Sequence, residues 1–224
     1  MPDLPHPVIA VDGTAASGKS TFSRSLAERL GYVYINTGAM YRGVTWYMQQ
    51  RSIPLQDATA IARAISSVSL ETTVVNDELA FRIAGIDPLP HTREAHVNEG
   101  VSLVAQVEEV RALLVAEQQK LAQDAPLVME GRDIGSVVFP QTPYKFYVDA
   151  SPEVRALRRH KQGETDVITQ RDAIDSSRKT SPLIRVGDAV FIDSSHITVD
   201  EMVAKALRHL AERGLTAAGE TSRS

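Results

Sequence analysis

An α/β fold, a five-stranded parallel sheet wound with helices on both faces, is what this sequence predicts, on three observations. An apolar run over residues 7–12 passes through the octapeptide GTAASGKS (residues 13–20) into a stretch that sets Phe22, Leu26 and Leu30 at helical spacing. Five short apolar runs alternate with helical patterns along the chain, as right-handed strand–helix–strand crossovers require. The polar motifs follow the ends of those runs, where the ligands of such a sheet bind: GTAASGKS, Asn36-Thr37-Gly38, Glu130-Gly131-Arg132-Asp133 and Asp193-Ser194.

Each element has its own signal. Residues 1–6 are proline-rich and expected to be loose. Residues 7–12 are apolar almost throughout, as a strand buried on both faces should be. The helix after the octapeptide runs to about Leu30, with Gly31 as its stop. YVYIN at 32–36 is a short strand, and Thr37-Gly38 opens a helix with Met40, Val44 and Tyr47 on one face, ending before Pro54. A further helix spans about 57–67. The period then changes from helical to alternating over 68–74 and 79–83, around Asn76-Asp77, which reads as a hairpin. Residues 68–92 are therefore expected to be an insertion with its own small sheet.

Residues 94–122 carry a long helical pattern broken near 107–109. A buried strand at 127–129 enters the polar turn Glu130-Gly131-Arg132-Asp133, and another strand covers 144–149. Ser151-Pro152-Glu153 is a helix start, with a capping side chain, a proline and an acid in sequence. The fifth strand is 189–193. Thr198-Val199-Asp200-Glu201 is a capping box ahead of the last helix, whose core face is Met202, Val203, Ala206, Leu207 and Leu210. Residues 214–224 lack periodicity and are expected to be a disordered tail.

Composition narrows the class. The length of 224 residues suits one domain with insertions, and 43% hydrophobic residues suffice for a sizeable core. A net charge of −4 argues against a general nucleic-acid binder. The chain has no cysteine, which excludes disulfides, thiolate metal sites and a cysteine nucleophile. MPDLPHP has neither the basic nor the apolar segment of a leader, and no run approaches a membrane span. A cytoplasmic monomer without nucleic-acid or membrane partners is expected.

The octapeptide carries the chemistry. Gly13 and Gly18 let the backbone turn its N–H groups towards phosphate oxygens, and the new helix adds its positive end. Lys19 would reach the β- and γ-phosphates, and the Ser20 hydroxyl would ligate Mg²⁺. Gly13, Thr14, Ala15, Ala16, Ser17, Gly18, Lys19, Ser20 and Thr21 thus form the predicted ATP-binding loop. Such a loop does not say what receives the phosphoryl group.

Other polar groups read two ways. Arg42, one turn into the helix at the binding edge, is either a solvated arginine or a phosphate ligand. Arg132-Asp133 is either a structural pair or a phosphate fork with an acceptor beside it. The run containing Arg155, Arg158, Arg159, Lys161, Arg171 and Arg178 is either a solvated face or a lid closing over phosphates. His91, Glu94 and His96 form a weak metal pattern.

Four segments, IAVDGTAASGKST, NTGAMYR, EGRDIGSVVFP and RD-x-x-D-x-x-R before Ser-Pro-Leu, resemble the bacterial cytidylate kinases over about residues 8–213. The resemblance implies an adenylate-kinase-like fold with a core (7–36, 108–157, 179–213), a monophosphate-binding region with a small β-containing insertion (37–107) and a short lid (158–178). It implies transfer of a phosphoryl group from ATP to CMP or dCMP, with Mg²⁺. By that match Arg42, Arg132, Arg171 and Arg178 hold the acceptor phosphate, and Thr37 lies in the same CMP site. Lys19, Arg132, Arg171 and Arg178 would carry catalysis. Asp175 meets the ribose, Ser102, Arg111 and Asp133 read cytosine, and Arg158 packs by the ATP. Asn36 and Glu130 stand where the family often has aspartates, and the lid between Arg159 and Arg171 is short.

Phosphoryl transfer needs positioning and charge neutralisation more than covalent chemistry, so no nucleophile is expected. The rivals are a related kinase acting on UMP or shikimate, a GTPase-type switch and a nucleic-acid binder. No N-K-x-D guanine-reading sequence is present, and the net charge disfavours the last.

Overall fold

In the computed structural model, residues 4–75, 77–161, 168–178 and 181–215 are described, apart from the side chains of 168–171. Five parallel strands form the centre: β1 (Val8–Gly13), β2 (Val33–Asn36), β5 (Leu127–Gly131), β6 (Lys145–Asp149) and β7 (Val190–Asp193). Two more, β3 (Leu70–Val75) and β4 (Glu78–Ile83), make the expected hairpin, and the sheet order is β3-β4-β2-β5-β1-β6-β7. The expected separate small sheet is therefore corrected. The hairpin joins the main sheet through the parallel pairing of Tyr34 with Glu78, which makes seven strands. The physical reason is that β2 would otherwise end the sheet with open peptide groups, and β4 covers part of that edge. Asn76, part of the expected hairpin turn, lies outside the described residues.

The helices are α1 (Lys19–Leu30), α2 (Thr37–Gln50), α3 (Ala58–Ser66), α4 (Ala95–Val104), α5 (Glu108–Leu121), α6 (Pro152–Lys161), α7 (Ile168–Ser176) and α8 (Val199–Glu212). Their starts follow local chemistry. The Asn36 and Asp57 side chains cap α2 and α3, Ser151 accepts from Val154 N, and Thr198 with Glu201 closes the expected capping box on α8. The long helical pattern breaks over residues 105–107, close to the expected place.

Strand alternation divides the core. Ile9 and Val11 of β1 face Phe22, Leu26 and Leu30 of α1 and Met202, Val203, Ala206 and Leu210 of α8. Val8 and Ala10 face the opposite layer, with Ile35, Met129 and Leu121. A third cluster unites α2, α3, α4 and α5 with Phe81 and Ile83 of the hairpin. At the chain's end Gly214 and Leu215 still close the last helix, with Leu215 N donating to Leu210 O; the rest of the expected tail, 216–224, lies outside the described residues. Among the described residues no helix is long and apolar enough to cross a membrane.

Candidate active site

Because the five central strands run parallel, their carboxyl ends meet on one edge. The pairings of Asn36 with Glu130, Asp12 with Gly131 and Asp149 with Asp193 set out its row of polar groups. The loop of residues 14–18 leaves β1 there. A Cβ on Gly13 would lie 2.0 Å from the Val148 carbonyl oxygen, so only glycine passes this close to β6. Gly18, in the left-handed region at φ 85°, turns the chain into α1.

Neighbouring strand ends hold the loop. Thr14 Oγ1 donates to Asp149 Oδ1 (2.5 Å), and Ser194 Oγ donates to the Ser17 carbonyl (2.6 Å). Arg158 of α6 donates to Ser194 Oγ (2.9 Å) and O (2.7 Å) and reaches the Ala16 carbonyl (3.4 Å), so it packs on the loop. Lys19 Nζ donates to the Thr14 carbonyl at 3.1 Å. Thr21 is exposed at the head of α1.

Beneath the loop lies a chain of hydrogen bonds. Ser20 Oγ donates to Glu130 Oε2 (2.9 Å), Tyr34 Oη to Glu130 Oε1 (2.5 Å), and Asn36 Nδ2 to Tyr34 Oη (3.4 Å). Asn36 and Glu130 thus meet on one tyrosine. Burial and the Glu130 anion push the Tyr34 phenol well above its ordinary range. Thr37 Oγ1 donates to the Glu130 carbonyl (2.7 Å), so towards a ligand this hydroxyl can only accept. Asp12, buried, takes the peptide N–H groups of Ile134 (2.7 Å) and Gly135 (2.8 Å) and ties β1 to the turn after β5. Burial nevertheless pushes its carboxyl up to about 7.

The arginines converge. Arg132 Nη1 donates to the Gly13 carbonyl (2.6 Å) and its Nε to Asp175 Oδ2 (2.7 Å), joining the loop to α7. Arg178 pairs with the other oxygen of Asp175. Asp133 pairs with Arg111, whose guanidinium lies 5.5 Å from the Tyr41 ring centre. Burial pushes the Asp133 carboxyl above its usual range, against the pull of Arg111 and Arg178.

Arg111, Arg132 and Arg178 therefore surround two carboxylates, Asp133 and Asp175, within interaction range of one another. Nε of Arg111 and Nε of Arg178 are buried with no hydrogen-bond acceptor among the described residues. Surplus positive charge and unfilled donors make an anion site.

Not every predicted residue joins this cluster. Ser102 is buried on α4, and among the described residues its hydroxyl makes no hydrogen bond to the Arg111–Asp133 pair. Arg42 is half-buried on α2, its guanidinium close to Gly38. Arg171 belongs to α7, but its side chain lies outside the described set. His91 and His96 both approach Glu94, and His91 stacks on Trp46; among the described residues no group of three or more metal-type side chains could hold an ion.

Sequence reasoning missed several groups. Asp172 of α7 accepts from the peptide N–H of Ala15 (3.2 Å) and pairs with buried Arg155, which lies 3.8 Å from Asp149. Asp172 stood inside the RD-x-x-D-x-x-R motif and Arg155 inside the basic run, so their types were visible but not their meeting. Asp12 and Asp149 carried only one signal, their place near strand ends, and Tyr34, inside β2, carried none.

Comparison with known proteins gives the family. The cytidylate kinase family model matches residues 9–212. The cytidylate kinase of Desulforamulus reducens is 40% identical over 209 residues, covering 88% of this chain and 94% of that protein. The cytidylate kinase of Clostridium botulinum strain Langeland is 41% identical over 208 residues, with the same coverage of 88% and 94%. Among solved structures, a gluconokinase from Sinorhizobium meliloti superposes with a TM-score of 0.49 at 18% identity, covering 94% of each chain. With a family model spanning nearly its whole length and relatives near 40% identity, the chain belongs to the cytidylate kinase family.

Proposed function

We propose that the protein transfers the γ-phosphoryl group of ATP to CMP or dCMP, forming CDP or dCDP. The observation that carries this reading is Arg132, which spans the loop at Gly13 and the arginine-rich anion site at Asp175. Phosphoryl transfer needs two phosphate sites side by side, with positive charge between them and no protein nucleophile. The loop from Gly13 to Ser20 takes the donor, with Lys19 on the transferring phosphates and Arg158 along the nucleotide. Arg42, Arg132, Arg171 and Arg178 take the acceptor phosphate, Asp175 the ribose, and Ser102, Arg111 and Asp133 the base.

Mg²⁺ fits the loop on the chemistry of its donors: Ser20 is exposed and its proton is committed to Glu130, which leaves oxygen lone pairs for a cation. When bound, the ion neutralises charge on the β- and γ-phosphates. The test is release of ADP from ATP and Mg²⁺ with a panel of nucleoside monophosphates. CMP and dCMP should be the preferred acceptors; preference for UMP or a purine nucleotide would overturn the reading.

A further inference from the structure

We propose that Tyr34 is a positioning residue for the phosphate loop: through Glu130 its hydroxyl sets the orientation of the Ser20 hydroxyl that faces the cation of Mg·ATP. The proposal rests on the reading of the loop as a Mg·ATP site.

A serine hydroxyl has one proton and two lone pairs, and it serves a cation well only if the proton points elsewhere. Here it points at Glu130 Oε2, 2.9 Å away, while Ser20 itself is exposed at the head of α1. That arrangement requires a fixed carboxylate. A glutamate has enough side-chain freedom to turn away from Ser20, and its burial at 2% exposure does not choose the direction of its oxygens. Tyr34 chooses it. Its hydroxyl donates to Glu130 Oε1 at 2.5 Å, so the second oxygen is left to Ser20.

The hydroxyl is in turn directed from outside. Asn36 Nδ2 approaches it at 3.4 Å, which turns the phenol proton towards Glu130. The ring is fixed as well. It packs in the core beside α1, and Arg24, paired with Glu78 at 2.6 Å, covers it at 4.6 Å from the ring centre. A tyrosine held only for packing would not need its hydroxyl on a buried carboxylate two bonds from the loop's exposed ligand. Asn36, Tyr34, Glu130 and Ser20 form one directed line from the end of β2 to the start of α1.

Tyr34→Phe keeps the ring and removes the hydroxyl. Affinity for ATP is measured by titration calorimetry with Mg²⁺ and with EDTA, in the wild type and the variant. Wild type should bind Mg·ATP more tightly than metal-free ATP. In Tyr34→Phe that preference should shrink roughly five- to tenfold, the scale of one hydrogen bond's net contribution, while affinities for metal-free ATP and CMP hold steady.

A structural role predicts otherwise: both forms of ATP weaken together with the melting temperature, or neither changes, and either result overturns the proposal. Glu130→Gln carries the same test should the tyrosine variant unfold, because its amide cannot accept both protons. Adding Tyr34→Phe to Glu130→Gln should cause no further loss; additive losses would overturn the relay. A wild type indifferent to Mg²⁺ overturns the underlying Mg·ATP reading, and the proposal falls with it. A wild-type preference that Tyr34→Phe retains overturns the proposal only.

Discussion

On the proposed reading, Asp133 sets the choice of base. It is 5% exposed and paired with Arg111, and its neighbourhood holds more arginines than acids. An ionised aspartate accepts hydrogen bonds and cannot donate, so it suits the exocyclic amine of cytosine and opposes O4 of uracil. Asp133→Asn should therefore lower the CMP:UMP ratio of kcat/KM by about tenfold or more, the cost of an unmatched buried polar group. ATP affinity should stay the same. Equal losses for both acceptors would mean that Asp133 merely anchors Arg111.

Asp12 bears on stability instead. Its folded carboxyl titrates near 7 against an ordinary value of 3.8, so between those values the folded chain holds a proton that the unfolded chain has released. Stability from this group is therefore full below about pH 4 and is lost as pH rises towards 7, by up to about 1.4 kcal/mol per unit. Asp12→Asn should remove that slope from urea-unfolding curves taken between pH 4.5 and 7. It should also lower stability at every pH, because one amide N–H then faces a peptide N–H. An unchanged slope would place the titrating group elsewhere.

At the scale of elements, α7 is docked by charge. Asp172 meets Ala15 N and Arg155, while Asp175 meets Arg132 and Arg178. Docking through ion pairs lets a helix open when its partners are taken by ligands. Asp172→Asn should speed amide exchange in α7 by about tenfold, the weight of one charged hydrogen bond. A ligand joining ATP to CMP should slow exchange in the wild type. Exchange rates that ignore both changes would show that α7 is not a lid.

At the scale of the whole molecule, the hairpin is part of the main sheet and shares its core. Phe81 of β4 is 1% exposed and packs with α2, where Gly43 leaves it room: a Cβ there would lie 2.9 Å from the ring. Phe81→Ala should cost about 3–5 kcal/mol of global stability. Unfolding followed by Trp46 fluorescence and by far-ultraviolet circular dichroism should still coincide, since Trp46 and Phe81 belong to one cluster. Two separated transitions would mean that the insertion folds on its own.

Local rules carried much of this protein into view from its sequence. The phosphate loop, the caps at Thr198 and Ser151, the central strands and the break before α5 each depend on residues a few positions apart, where spacing and side-chain chemistry decide the outcome. The four quoted segments likewise sufficed to point to the family that the comparisons bear out. Tertiary structure decided the rest. Which edge receives the hairpin is a matter of peptide groups that β2 leaves open, and alternation within β3 and β4 says nothing about that partner. The meeting of Asp172 with Ala15, of Arg132 with Gly13 and of Tyr34 with Glu130 joins positions 157, 119 and 96 residues apart. Such contacts exist only once the crossovers have brought the strand ends to a common edge, because hydrogen bonds act over ångströms in space and a sequence orders residues only along the chain.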